Sequence, residues 1–307
     1  MANHTVMKEF QFLTFSKRAE DNLPIFSIFF IIYLIGILAN SAIIAVVSLD
    51  HQLHTPMYIF LCNLSFVDTC YTTITIPKLL DMLLSSNNTM TFIQCFTQMC
   101  FFWMTGGIED ILLFTMAYDR YVAICNPLHY HQIFSKVNLM RLIAAIWVFG
   151  FLNSLFVTIS ASYMSFCNTT TVPQFFCDAK ALTTISCTIA EVFYVAICLE
   201  LLLFGVCPFL CSLMSYLKII GVIFKINSKE GRMKAFSTCS SHLSVLLIYF
   251  GTGLPVYLKP PSDHVDVLDE IFSVFYTTVT PVLNPLIYSL RNKEVKMALF
   301  KLFKIKS

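Results

Sequence analysis

Six ionisable side chains, Asp68, Glu109, Asp110, Asp119, Arg120 and Glu200, stand in stretches that are otherwise apolar. Ionisable groups at membrane depth are expensive, so such groups are read first as functional. Asp119 and Arg120 are adjacent in "MAYDRYVAIC" (116–125), flanked by Tyr118 and Tyr121. An arginine near the inner end of a span can snorkel to water, and the plain alternative for this pair is a stop-transfer charge. Glu109 precedes Arg120 by 11 residues, almost three α-helical turns, so the two share one face; Asp110 is turned from Glu109 by about 100°. Asp68 and Glu109 offer hard oxygen ligands that could hold a sodium ion. The other reading is a protonated carboxyl, with both groups hydrogen-bonded to Asn40, Asn284 and water, because two close carboxylates raise one pKa. No H-x-x-x-H pair, nucleophile elbow or P-loop is present, so catalysis is not expected.

The elements that position these groups follow from composition. Of 307 residues, 57% are hydrophobic and 12% are charged, against about 25% charged in a soluble domain. A chain this apolar in water would expose large sticky patches, so it reads as an integral membrane protein. Stretches of low charge long enough to cross a hydrocarbon core occur at about 24–48, 57–80, 95–123, 139–161, 191–216, 236–258 and 270–290. The expectation is an all-α membrane protein: a seven-transmembrane helix bundle over 24–290, preceded by an extracellular N-terminus (1–23) and followed by a short amphipathic cytoplasmic helix and C-terminus (291–307). With the N-terminus outside, 14 of 20 basic residues fall on inner segments, as the positive-inside rule asks. The first inner loop, "DHQLH", holds no Lys or Arg and weakens that bias. No cleavable signal peptide is visible.

Glycosylation sequons at Asn3, Asn87 and Asn168 lie on expected outer segments, whereas the sequon at Asn63 lies within the second span. Of 12 cysteines, Cys95, Cys167, Cys177 and Cys187 lie on the outer side, where four cysteines allow three pairings. No repeat or inverted duplication of the kind seen in transporters is visible.

"PVLNPLIYSLRN" closes the seventh span. Pro285 has no N–H and disturbs the preceding turn, so the freed carbonyl needs a neighbouring partner or water. Asn284 and Tyr288, four residues apart, make that hinge polar. With "LHTPMYIFLCNLSFVD" (53–68), "MAYDRYVAICNPLHY" (116–130), "SYLKII" (215–220), "KAFSTCSSHL" (234–243) and "PVLNPLIYSLRNKEV" (281–295), the chain resembles the rhodopsin-like G-protein-coupled receptors, and among them the odorant receptors, over essentially its full length. The resemblance implies that Asp119–Arg120 holds the resting state and that Arg120 turns towards a G protein on activation. Tyr121, Tyr216, Asn284, Pro285 and Tyr288 are implied in the switch. It also implies a Cys95–Cys177 bridge, leaving Cys167 with Cys187, and sodium at the position of Asp68. The implied partners are a small-molecule odorant, a stimulatory, olfactory-type heterotrimeric G protein acting through adenylyl cyclase and cAMP, and membrane lipids; no nucleic acid is implied. No cofactor is expected beyond that sodium ion, and the implied location is the plasma membrane.

The ligand would sit between spans three, five and six. Candidate walls on span three are Phe102, Trp103, Gly106, Gly107 and Asp110; on span five, Glu200, Leu203 and Phe204; on span six, Phe250, Gly253, Leu254 and Tyr257. The two glycines open space, or alternatively let helices pack closely. Glu200 facing inward would favour a ligand donor or cation; facing the interface, it would be a snorkelling acid. The mainly aromatic walls suit a small, mostly apolar molecule. One departure from the odorant pattern is Tyr249-Phe250-Gly251 in place of Phe-Tyr-Gly, which moves the hydroxyl to a neighbouring face. The competing readings are a non-olfactory receptor of the same fold and, more distantly, a transporter or channel.

Overall fold

The computed structural model describes residues 9–12, 19–85, 87–166, 171–188, 191–225, 228–259, 267–291 and 293–304. Seven helical stretches are long and apolar enough to span a membrane. In order they are α1 (Ala19–Leu49), α2 (Pro56–Ser85), α3 (Phe92–Cys125), α5 (Lys136–Ser162), the joined α7 (Glu191–Glu200) and α8 (Cys207–Ile223), α9 (Lys229–Leu258), and the joined α10 (Val267–Val274) and α11 (Thr280–Arg291). The short helices α4 (Tyr130–Ile133) and α6 (Ala179–Thr184) lie between spans, and α12 (Lys293–Lys304) follows the last. The second span runs past the expected residue 80 because Lys78 and Asp81 pair at 2.8 Å on its own surface, which lets the helix carry charges to its end.

Span three is the axis of the bundle: 61% of its apolar window is buried, against 22% for span four. The outer spans turn Leu34, Leu38, Phe149, Phe151 and Leu152 outward, as lipid contact requires. At its start, Thr91 and Gln94 form a reciprocal capping box, which satisfies two of the amide donors a helix start leaves open. In the tail, α12 buries Val295 and Ala298, exposes Met297 and Phe300, and is tied to span two by the Tyr58 hydroxyl donating to Glu294 at 2.7 Å.

Two spans widen into π-helical turns, Leu201–Val206 and Phe275–Val279. Each ends just ahead of a proline, Pro208 or Pro281, whose missing N–H breaks the ordinary ladder. The residues before them bond five back, Cys207 to Leu202 and Thr280 to Phe275. Pro285 would likewise strand the Pro281 carbonyl, four residues earlier; the Asn40 side-chain amide fills the gap at 3.1 Å and also donates to the Gly36 carbonyl at 3.1 Å. Asn40 is therefore spent on backbone carbonyls and does not bond the carboxyls of Asp68 and Glu109, contrary to the sequence expectation.

One end of the bundle carries a small lid that helical periodicity does not announce. β1 (Glu9–Phe12) pairs antiparallel with β2 (Thr89–Thr91) and parallel with β4 (Thr171–Val172), while β3 (Ser165–Phe166) pairs with β5 (Ser186–Thr188). "EFQF" alternates with period two, and Phe10 and Phe12 are buried while Glu9 and Gln11 face out. Cys95 and Cys177 form a disulfide, tying span three to the lid. Beside it, Gln98 accepts from the Cys177 N–H at 2.8 Å and donates to the Ile74 carbonyl at 2.8 Å. Cys187 is disulfide-bonded as well; Cys167, its implied partner, lies outside the described residues, as do Asn3 and Asn168. Asn87 is exposed and accepts from the Thr89 hydroxyl at 2.8 Å. Asn63, by contrast, is committed to packing, donating to Ile59 and accepting from the Trp147 indole at 3.2 Å.

Asp178 is buried under this lid, where it accepts from the Tyr257 hydroxyl at 3.0 Å. Burial pushes its carboxyl from an ordinary 3.8 up to about 6, against the opposing pull of the Tyr257 hydrogen bond.

Two stability predictions follow from this packing. A Cβ at Gly150 would lie 2.5 Å from Ile108 of span three, whereas one at Gly221 meets nothing within 4 Å. Gly150→Ala should lower the melting point in detergent by an amount equivalent to about 1–3 kcal/mol of overpacking, and Gly221→Ala should leave it unchanged or raise it. For Asp178 the folded pKa lies above the unfolded one. Its contribution is therefore full below pH 3.8 and is lost as pH rises through about 6, a change of ~3 kcal/mol. Melting curves of Asp178→Asn should match the native protein near pH 4 and exceed it by a margin that grows up to about pH 6–7 and is then constant.

Candidate functional site

Below the lid lies a cavity of about 90 Å³, several times the roughly 10–15 Å³ that one water needs. Span three contributes Phe102, Trp103, Gly106, Gly107 and Asp110; span six contributes Phe250, Gly253, Leu254 and Tyr257; span five contributes Glu200 and Phe204. The Gly107 position faces Phe204 closely, with a notional Cβ 3.4 Å from the ring, while Gly106 leaves its Cβ position 3.7 Å from Tyr71. Absent side chains at both glycines give the cavity its width.

Leu203 does not belong to this wall. It is 55% exposed and points away from the bundle. The cause is the π turn: each residue there advances by less than the α-helical 100° or so, and Leu203 stops short of rejoining the Glu200 face. Leu201 and Gly205 take its place. The sequence reading also missed Tyr71, Ile197, Tyr249 and Tyr276. Only Tyr249 carried a signal, as the displaced hydroxyl of the span-six motif. Tyr249 and Phe250 both face the site: the Tyr249 hydroxyl donates to the Gly106 carbonyl at 3.4 Å, while Phe250 packs on Phe209 at 5.4 Å between centroids.

Glu200 is buried and points inward, where Asn153 of span four donates to it at 2.6 Å. Across the cavity, Tyr257 joins Tyr276 by a 3.0 Å hydrogen bond, so the lid carboxyl of Asp178 is connected through a hydroxyl pair to the cavity wall.

Beneath Asp110 the bundle turns polar. The Asn284 side-chain amide donates to both Asp68 oxygens at 3.2 Å and to Glu109 at 3.3 Å. All three residues are buried. Glu109 Oε2 and Asn284 Oδ1 are buried with no hydrogen-bond partner among the described residues. Vacant hard-oxygen acceptors beside two carboxyls fit a small hard cation in chemistry. No group of three or more His, Cys, Asp or Glu side chains suited to a metal occurs among the described residues, so amide and hydroxyl oxygens would have to complete any such shell.

At the far end, Arg120 Nε donates to Asp119 at 2.9 Å and its Nη2 donates to the same oxygen. The second Asp119 oxygen accepts from Tyr130 at 2.8 Å. Burial and the nearby Asp119 charge push the Tyr130 hydroxyl above its ordinary range, which keeps it a donor. Tyr121 lies under the Lys218 ammonium at 5.5 Å. Tyr216 bonds His242 Nδ1 at 2.5 Å, and the His242 ring is 6.4 Å from that of Tyr288. Pro285 sits one turn before Tyr288, at the hinge Asn40 supports. Tyr130 and His242 were not singled out from sequence, although both lie inside quoted motifs; nothing in spacing alone distinguishes them from their neighbours.

The comparisons with known proteins agree with this geometry. The family model described as "Olfactory receptor" matches residues 29–306. The chain is 42% identical over 301 residues to "Olfactory receptor 1" of Rattus norvegicus, covering 98% of this chain and 96% of that one. It is 43% identical over 300 residues to "Olfactory receptor 1M1" of Homo sapiens, with the same coverage. In three dimensions it resembles the crystal structure of squid rhodopsin, with a TM-score of 0.76 at 15% identity over 95% of this chain and 87% of that one; this likeness speaks to the fold alone. A seven-span bundle with a cavity at one end and a part-buried ion pair at the other, matched by this family along nearly its whole length, belongs to the olfactory receptors: the chain is a member of that family of G-protein-coupled receptors, a multi-pass plasma-membrane signalling receptor and not an enzyme.

Proposed function

We propose that the chain binds a small, mostly apolar odorant in the cavity between spans three, five and six and activates a stimulatory, olfactory-type G protein, raising cAMP. The observation that carries this reading is the continuity of span three. Asp110 lines the cavity, Glu109 enters the Asn284 cluster, and Arg120 is held by Asp119 at the far end. A ligand that displaces Tyr249 or span six at the cavity would bear on all three. The N-terminus would be extracellular, which puts the disulfide and the exposed Asn87 on the oxidising, glycosylating side, and would leave Arg120 facing the cytosol.

In the resting arrangement, Asp119 and Tyr130 restrain Arg120. Release of Arg120 would let Tyr216 and Tyr288 re-pair around it, since the Tyr288 hydroxyl is buried without a partner among the described residues. Spans five to seven can move by way of their π turns and prolines, where the hydrogen-bond ladder is already broken. Asp68 and Glu109, with the vacant oxygens of the Asn284 cluster, would hold a sodium ion; when bound, it supplies positive charge that holds spans two, three and seven together.

Two outcomes test these points. Arg120→Ala should abolish the odorant-evoked cAMP rise while surface expression stays measurable; an undiminished rise would refute the coupling role. Replacing choline chloride by sodium chloride should raise the melting point of the purified native receptor by several degrees and that of Asp68→Asn by little or nothing; equal shifts would place sodium elsewhere.

A further inference from the structure

Among the described residues, the cavity walls carry two carboxyl groups, Asp110 and Glu200, and no Lys, Arg or His. Both stand on the wall of one cavity, and the hydrogen bond that Glu200 accepts comes from a neutral donor, the Asn153 amide, at 2.6 Å. Buried charges in proteins are ordinarily matched by a counter-charge, and on these walls the described residues supply none. The rest of the surface is apolar and largely aromatic, with Phe102, Trp103, Tyr257 and Tyr276 towards the lid and Phe204 and Phe250 on the side of spans five and six. Rings present a negative face, and a box of them attracts an organic cation. Two acids reached from different spans, within a ring-lined cavity, form a site whose missing partner is positive.

We infer that the ligand class of this receptor is a small primary or secondary amine with an apolar body, its ammonium held between Asp110 and Glu200 and its hydrocarbon against the aromatic wall. The inference rests on the reading of this cavity as the odorant site. Glu200 is held inward by Asn153, so that carboxyl is pre-positioned and little ordering of its side chain remains to be done on binding. An alcohol of the same shape would find acceptors but would leave the charge unmatched. The discrimination is therefore between amine and isosteric alcohol, not between one hydrocarbon skeleton and another.

The test uses matched pairs, cyclohexylamine against cyclohexanol and hexylamine against hexanol, on the full-length receptor. One readout is cAMP in cells carrying a stimulatory olfactory-type G protein. The other is the melting shift of the purified receptor, which needs no G protein. The expected result is a response to at least one amine at a concentration more than tenfold below its alcohol. Asp110→Asn and Glu200→Gln, each at verified surface expression, should weaken the amine more than tenfold, and by at least several-fold more than they weaken the matched alcohol. Asp110→Glu, which keeps the charge, should retain part of the amine response. Equal potency of amine and alcohol, or amine potency untouched by both neutral variants, overturns the inference. Amine stabilisation without cAMP upholds it and counts against the proposed coupling. Alcohol-evoked cAMP with no amine effect counts the other way. No amine effect on either readout overturns it.

Discussion

The amide of Asn284, shared between the carboxyls of Asp68 and Glu109, is the contact on which the rest of the bundle depends. Three helices meet there, and each brings a polar group that lipid could not solvate. A buried carboxyl without a partner is costly, so spans two, three and seven are obliged to converge on one point. The convergence also sets the depth of everything else on span three. With Glu109 pinned to the cluster, the roughly 100° step of the helix turns Asp110 towards the cavity, and three further turns place Arg120 at the opposite end.

Span seven reaches this point at a structural cost. Pro281 and Pro285 each delete an amide donor, and the helix answers with a π turn and with the borrowed amide of Asn40. A regular helix would offer a stiff rod; this one has a wide turn beside the cavity residue Tyr276 and a break beside Tyr288. Span five repeats the device ahead of Pro208. The two spans with weakened ladders thus border the cavity and also lead to the Tyr216–His242–Tyr288 group. Irregular backbone is tolerated at membrane depth where it is packed in protein or lines a cavity, and both conditions hold here. The lid completes the enclosure from above, through the disulfide, Gln98 and the Asp178–Tyr257–Tyr276 chain.

The amino-acid sequence by itself determined the seven spans, because a hydrocarbon core demands long runs without charge and nothing else in the chain meets that demand. It singled out the ionisable groups, since each stands in an otherwise apolar run, and the helical repeat put Glu109 and Asp110 on different faces. The short motifs were local as well: Asp119 and Arg120 are neighbours and need no tertiary fold to meet. What only the tertiary structure decided is register and pairing. Leu203 was misplaced because a π turn is invisible to a fixed helical period; Leu201 and Gly205 join Phe204 in the wall instead. Asn40 looked like a partner for the carboxyls, and became a backbone donor because Pro285 strands a carbonyl 241 residues from it, at Pro281. Tyr71, Tyr276 and the Asn153 contact to Glu200 come from spans that approach the cavity only once the bundle is closed, and the strand at Phe10 exists only because β2 and β4 are there to pair with it. Periodicity reports which face of one helix is apolar; which neighbour that face meets is settled by packing between helices, and one helix's sequence does not contain its partner's.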